Sequence, residues 1–215
     1  MAWTYYITDR KICTVPILKQ IHLAIKAGVD LLQIREKDLT TRELLTLAQQ
    51  ARALSQGYPT QILINDRLDV ALSANLHGIH LSQTSLQTST IRTRLSKKKF
   101  LIGVSTHNIK EVEQAFQEGA DFVTFGPIFA TPSNLRFGSP LGIPALKKLL
   151  QKSNHSTLAL GGVNEKNYKK CLEVGARGIA GIRMFQQPEP NVRKIICAIR
   201  SVSYTHLTLP TILLV

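Results

Sequence analysis

Eight short, largely apolar runs punctuate the chain, and amphipathic stretches separate them. The runs are Tyr5–Thr8, Leu31–Ile34, Ile62–Ile64, Gly78–Leu81, Phe100–Val104, Phe122–Phe125, Thr157–Leu160 and Gly178–Ile182. A strand that is apolar on both sides of its pleat must be covered on both faces, as in a parallel sheet flanked by helices. The intervening segments supply such helices. Ile17, Ile21, Ala24 and Ile25 keep a helical spacing, as do Leu44, Leu47, Ala48 and Ala51, and later Val112, Ala115 and Phe116.

One junction recurs. Lys26-Ala27-Gly28-Val29-Asp30-Leu31 resembles Gln117-Glu118-Gly119-Ala120-Asp121-Phe122, and Glu173-Val174-Gly175-Ala176-Arg177-Gly178 is a looser third copy. In each, a helix ends, a glycine takes the left-handed cap position, and a strand starts two or three residues later. The copies have no fixed period, so they mark the αβ loop of a repeated unit and not a solenoid. Eight strands with helices between them in 215 residues leave two architectures, an open doubly wound sheet or a closed barrel. The strand count, and the lack of Gly-x-Gly-x-x-Gly after the first strand, favour a single α/β domain, a (β/α)8 barrel over residues 1–201.

Composition narrows the setting. Hydrophobic residues make up 44% of the chain, enough for one large core. No stretch approaches the ~18–20 apolar residues of a membrane helix. The opening Met1-Ala2-Trp3-Thr4-Tyr5-Tyr6-Ile7-Thr8-Asp9-Arg10 lacks the apolar run of a signal peptide, and a cytoplasmic protein is expected. Cys13, Cys171 and Cys197 form no Cys-x-x-Cys pair and read as reduced thiols. The formal net charge is +13, but the basic residues are scattered. The densest run, Lys97-Lys98-Lys99, has no aromatic neighbours to stack on bases, so a nucleic-acid partner is not expected. The charge suits anionic small molecules better. Residues 202–215 follow a helix end expected at Arg200, and from Ser203 onward they hold no Lys, Arg, Asp or Glu. They resemble translated adapter sequence and are expected to form a non-native or disordered tail.

In a barrel the chemistry lies at the strand C-termini and the loops that follow. After the second strand, alternation puts Gln33, Arg35 and Lys37 on one side, an amide with two cations fit to grip phosphate. The competing reading is a surface cluster paired with Glu36 and Asp38. After the third strand come Asn65, Asp66 and Asp69. A carboxylate here suits Mg²⁺ bound together with substrate phosphates, whereas the alternative is that Asp66 or Asp69 caps a helix starting near Val70. His80, inside an apolar run, reads first as a satisfied core residue. Ser105 ends the fifth strand with a hydroxyl. After the sixth, a long segment with Thr131, Ser133 and Arg136 reads as a lid over the mouth. Gly161 and Gly162 after the seventh strand, and Ile182 and Arg183 after the eighth, stand where barrels bind phosphate through backbone N–H groups.

Taken in order, Tyr6-Ile7-Thr8-Asp9, Gln33-Ile34-Arg35-Glu36-Lys37, Ile64-Asn65-Asp66-Arg67, Gly78-Ile79-His80-Leu81, Gly126-Pro127-Ile128-Phe129-Ala130-Thr131 and Leu160-Gly161-Gly162 resemble thiamine phosphate synthase and the related thiazole tautomerase. The resemblance covers about Tyr5 to Phe185. It implies coupling of a hydroxymethylpyrimidine diphosphate to a thiazole phosphate, with Mg²⁺ as cofactor. It also implies roles. Arg35 and Lys37 would act on the leaving diphosphate and Asp66 would hold the metal. Gln33, Asn65 and Ser105 would contact the pyrimidine diphosphate. Thr131, Ser133, Asn134, Gly162, Ile182 and Arg183 would hold the thiazole phosphate side. Some positions depart from the synthase pattern. Ser85 stands where a second metal-binding Asp is expected, Asn134 where a lysine is, His77 where an acidic residue is, and Arg183 where a serine is. A tautomerase would carry a catalytic His where this chain has Pro127, and the known tautomerase pattern has Gly where Asp66 stands. The alternatives to a synthase are thus a thiazole tautomerase-like isomerase or a non-catalytic paralogue that binds a thiamine precursor. A homo-oligomer is a further expectation.

Overall fold

The structure is a computed structural model that describes residues 1–95, 99–131 and 139–205, with side chains placed up to residue 202 in the last segment. Eight strands run in parallel: β1 Trp3–Ile7, β2 Leu31–Ile34, β3 Gln61–Asn65, β4 Gly78–Leu81, β5 Leu101–Thr106, β6 Phe122–Phe125, β7 Thr157–Ala159 and β8 Gly178–Gly181. They close in sequence order, with Trp3 to Tyr6 of β1 paired to Gly178 to Gly181 of β8. The helices are α1 Ile17–Ala27, α2 Thr41–Leu54, α3 Leu68–Ser73, α4 Thr88–Arg94, α5 Ile109–Gln117, α6 Gly142–Lys152, α7 Tyr168–Glu173 and α8 Glu189–Thr205, with a short 3₁₀ turn at Arg10–Ile12. This is the expected (β/α)8 barrel.

Strand alternation divides the core in two. Tyr5, Ile7, Leu31, Leu63, Phe122, Leu158 and Ala180 fill the barrel interior. The opposite parity, including Tyr6, Leu32, Ile34, Ile62, Ile64 and Ile79, packs outward against helix residues such as Ile21, Ile25, Leu44 and Leu47. Both faces of each strand are therefore covered, which is why the runs read as apolar throughout.

The recurring junction has a physical basis. Gly28, Gly119 and Gly175 have φ of 91°, 95° and 102°, where a Cβ is unfavourable. The aspartate two residues later then ties neighbouring strands together. Asp30 accepts the Thr4 N–H at 2.8 Å, and Asp121 accepts the Ile102 N–H at 2.7 Å. In the third copy Arg177 replaces the aspartate, and its guanidinium lies 5.3 Å from the centre of the Trp3 ring. All of this occupies the face opposite the strand C-termini.

Three boundaries differ from the sequence reading. β5 runs on to Thr106, because Ser105 and Thr106 pair with Thr124 and Phe125 although they are polar. α3 starts at Leu68 with Arg67 at its N-cap and no side-chain cap. Neither Asp66 nor Asp69 caps it: Asp69 pairs with Arg67 at 2.5 Å, and Asp66 is engaged elsewhere. α8 continues past Arg200 to Thr205, since no Gly or Pro interrupts residues 201–205. Residues 206–215, Lys97 and Lys98 lie outside the described residues.

Candidate active site

Gln33 ends the inward file of β2. It is 1% exposed, and its Nε2 has no hydrogen-bond partner. A buried amide donor left open at the base of a barrel mouth is costly unless a ligand takes it. Arg35 follows, half-buried, and Lys37 is exposed beyond it. Their neighbours Glu36 and Asp38 do not neutralise them. The Arg10 N–H donates to both Glu36 carboxylate oxygens at 3.1 Å. Asp38 pairs with the Arg10 side chain at 2.9 Å and with Lys11 at 3.1 Å. The turn after β1 thus absorbs both acids, and among the described residues Arg35 and Lys37 form no ion pair. The surface-cluster reading is set aside on this geometry. Burial pushes the Glu36 carboxyl above its ordinary range, against hydrogen bonds from Thr8 and the Arg10 backbone that pull it down.

Asp66 stands at the end of β3 with φ of 60°, a left-handed conformation that Asp and Asn tolerate better than most residues. Its carboxylate accepts from Asn65 Nδ2 at 2.8 Å and from the Ser82 N–H at 3.2 Å. The Ser82 and Ser85 hydroxyls donate to it as well. The fold therefore brings Asp66 and Ser85 together from two loops. This donor set suits Mg²⁺ only in part. No group of three His, Cys, Asp or Glu side chains is arranged for a metal among the described residues. One carboxylate plus hydroxyls fits an ion that takes its remaining ligands from substrate phosphates and water.

His80 is buried, as its apolar surroundings imply. Its Nδ1 lies 3.1 Å from Tyr5 Oη and its Nε2 2.9 Å from Ser105 Oγ. Burial, opposed by the charge of Asp66 and assisted by that of Arg35, pushes its pKa down to about 3. The ring is neutral near pH 7. Ser105 faces the same interior, half-buried.

Thr124 went unnoticed in the sequence. It is 1% exposed, shares the inward parity of Phe122, and its Oγ1 has no partner. In Phe122-Val123-Thr124-Phe125 it reads as an ordinary β-former. The signal was its parity, which puts a hydroxyl beside Ser105.

Loop packing explains the glycines after β7. Ile128 and Phe129 N–H donate to the carbonyls of Leu160 and Gly161, both at 2.9 Å. Gly161 and Gly162 have φ of 89° and 68°, and a Cβ on Gly162 would sit 2.5 Å from the Phe129 carbonyl oxygen. The N–H groups of Gly162, Val163, Ile182 and Arg183 donate to no acceptor among the described residues. Arg183 is exposed beside them and forms no ion pair among the described residues. Thr131 is half-buried at the last described position of its loop. Ser133, Asn134 and Arg136, with the expected lid, lie outside the described residues.

Free cations, open backbone donors and a single carboxylate gather at one mouth of a closed parallel barrel, the strand C-terminal end where (β/α)8 enzymes carry their sites. The chain belongs to the thiamine monophosphate synthase family, whose sequence profile matches residues 4–185. It is 41% identical over 181 residues to an Aquifex aeolicus protein with a provisional thiamine-phosphate synthase name, covering 84% of this chain and 96% of that one. It is 38% identical over 179 residues to a Clostridium botulinum thiamine-phosphate synthase, covering 83% and 87%. In three dimensions it matches the thiamine phosphate pyrophosphorylase of Pyrococcus furiosus with a TM-score of 0.80 and 26% identity, over 92% of this chain and 96% of that one.

Proposed function

We propose that this chain is a transferase of thiamine biosynthesis that couples hydroxymethylpyrimidine diphosphate to thiazole phosphate, giving thiamine phosphate and diphosphate. The observation that carries the reading is the pair Arg35 and Lys37, left unneutralised because Arg10 and Lys11 take up Glu36 and Asp38.

In this reaction the bond between the pyrimidine methylene carbon and the diphosphate oxygen breaks, and the oxygen keeps the electron pair. The thiazole nitrogen then gives its lone pair to that carbon. Such a site must stabilise charge on the departing diphosphate and keep the two rings aligned. Arg35 and Lys37 are the residues we assign to the diphosphate, as a bidentate grip and a point charge. Gln33, Asn65 and Ser105 orient the pyrimidine half. Gly162, Ile182 and Arg183 receive the thiazole phosphate, with Thr131, Ser133 and Asn134 on the intervening loop. Asp66 with Ser85 would hold Mg²⁺, which supplies further neutralisation of phosphate charge. We place the protein in the cytoplasm, where three unpaired thiols remain reduced. No helix among the described residues is long and apolar enough to cross a membrane.

The test is an assay of the full chain with both phosphorylated substrates, with and without Mg²⁺. Thiamine phosphate formed only when both are present supports the reading. If no product forms but a thiazole phosphate tautomer is converted without metal, the isomerase reading replaces it. Tight binding of thiamine phosphate without either reaction would favour a sensing paralogue.

A further inference from the structure

Tyr5 Oη, His80 and Ser105 Oγ stand in single file, from the sealed interior to the barrel mouth, with separations of 3.1 and 2.9 Å at the two imidazole nitrogens. Tyr5 is fully buried and His80 is 3% exposed. Ring centres lie 5.6 Å apart for Tyr5 and His80 and 5.8 Å for His80 and Phe122. Space for the imidazole depends on Gly103, where a Cβ would meet Nδ1 at 2.6 Å as well as the Phe122 ring.

A neutral imidazole has one N–H and one lone pair, so the file has two possible polarities. In the first, Nδ1–H donates to Tyr5 and Nε2 accepts from Ser105. The phenol proton then has no acceptor among the described residues. It would be stranded in an interior lined by Leu31, Leu63, Leu158 and Ala180, where an unmade hydrogen bond is costly. In the second, Tyr5 donates to Nδ1 and Nε2–H donates to Ser105. Both donors inside the file, the phenol O–H and Nε2–H, are then used, and the hydrogen left over is that of the Ser105 hydroxyl at the mouth. We infer that Tyr5 and His80 are positioning residues that leave the Ser105 hydroxyl proton free to donate, so that this point of the site takes a ligand atom bearing a lone pair, such as a heterocycle ring nitrogen. Only the identity of that ligand rests on the synthase reading; the polarity of the file does not.

The chain has six histidines, so the decisive experiment is long-range ¹⁵N–¹H correlation on ¹⁵N-histidine-labelled protein, with His80→Gln assigning the His80 signals. A protonated Nε2 and a bare Nδ1 are expected, and the reverse pattern would overturn the inference without any variant needing to fold. Tyr5→Phe should leave Nε2 protonated but shift the Nδ1 resonance, because the Nδ1 lone pair loses its phenol donor. It should also raise the KM for the pyrimidine diphosphate roughly three- to tenfold, one hydrogen bond's worth, with the KM for the thiazole phosphate unchanged. An Nδ1 resonance that does not move in Tyr5→Phe counts against the inference. His80→Gln keeps an N–H for Ser105 and should retain more turnover than His80→Leu, whereas equal losses would reduce His80 to packing. A chain without synthase turnover but with the expected tautomer would sink the proposed activity and leave the file standing.

Discussion

Arg35 and Lys37 owe their availability to residues that never face the substrate. Arg10 and Lys11 hold Asp38, and the Arg10 backbone holds Glu36. Arg35→Ala and Lys37→Ala should each lower kcat/KM by about a hundredfold or more, the scale of losing a charge-assisted contact to a developing anion. Steady-state kinetics with both substrates checks this, and near-normal rates in both variants would refute the assignment. Ser85 gives a graded prediction. A carboxylate there would stand beside Asp66, which the Ser85 hydroxyl already reaches. Ser85→Asp should therefore lower the Mg²⁺ concentration needed for half-maximal activity, read from a metal titration of each protein. Residue type and alternation pointed to Arg35, Lys37 and Asp66 in the sequence. Which acid pairs with which base was not legible, since Arg10 and Asp38 are 28 residues apart and meet only because β1 and β2 are neighbours.

Each of the eight apolar runs became a strand, because double-sided burial leaves a mark that needs no knowledge of partners. Ends were harder to read. The polar close of β5 belongs to the sheet through its pairing with β6, and α3 begins with neither of the aspartates that the alternative reading offered as its cap. Thr124 stayed hidden for a related reason, since a threonine in a strand signals nothing until its side is known. Interlocking of elements shows most clearly at Gly103, whose missing side chain lets β5 pass the Phe122 and His80 rings. Gly103→Ala should cost about 1–3 kcal/mol of stability through overpacking, measured by urea denaturation. It should also disturb the His80 ring signals, whereas a surface alanine would leave them alone.

The whole molecule carries a pH signature. His80 is held at about 3 by burial, below the ~6.5 of an unfolded chain. Between those values the unfolded state binds the extra proton. The stability contribution is therefore complete above about pH 6.5 and falls as pH drops, by up to about 1.4 kcal/mol per pH unit. His77, also lowered by burial, acts in the same direction, while Glu36, raised by burial, opposes it at the acid end. Urea midpoints between about pH 5 and 7 should show this slope, and His80→Gln should flatten it. The barrel also separates its tasks by face. Asp30, Asp121 and the glycine caps brace one end, and the groups we assign to phosphate occupy the other. At Asp66 that separation has a historical side. The carboxylate rests on a left-handed backbone that glycine enters at no steric cost. One codon change can therefore discard the carboxylate we assign to the metal without disturbing the scaffold, so descendants of such a barrel are free to abandon one reaction and be recruited to another.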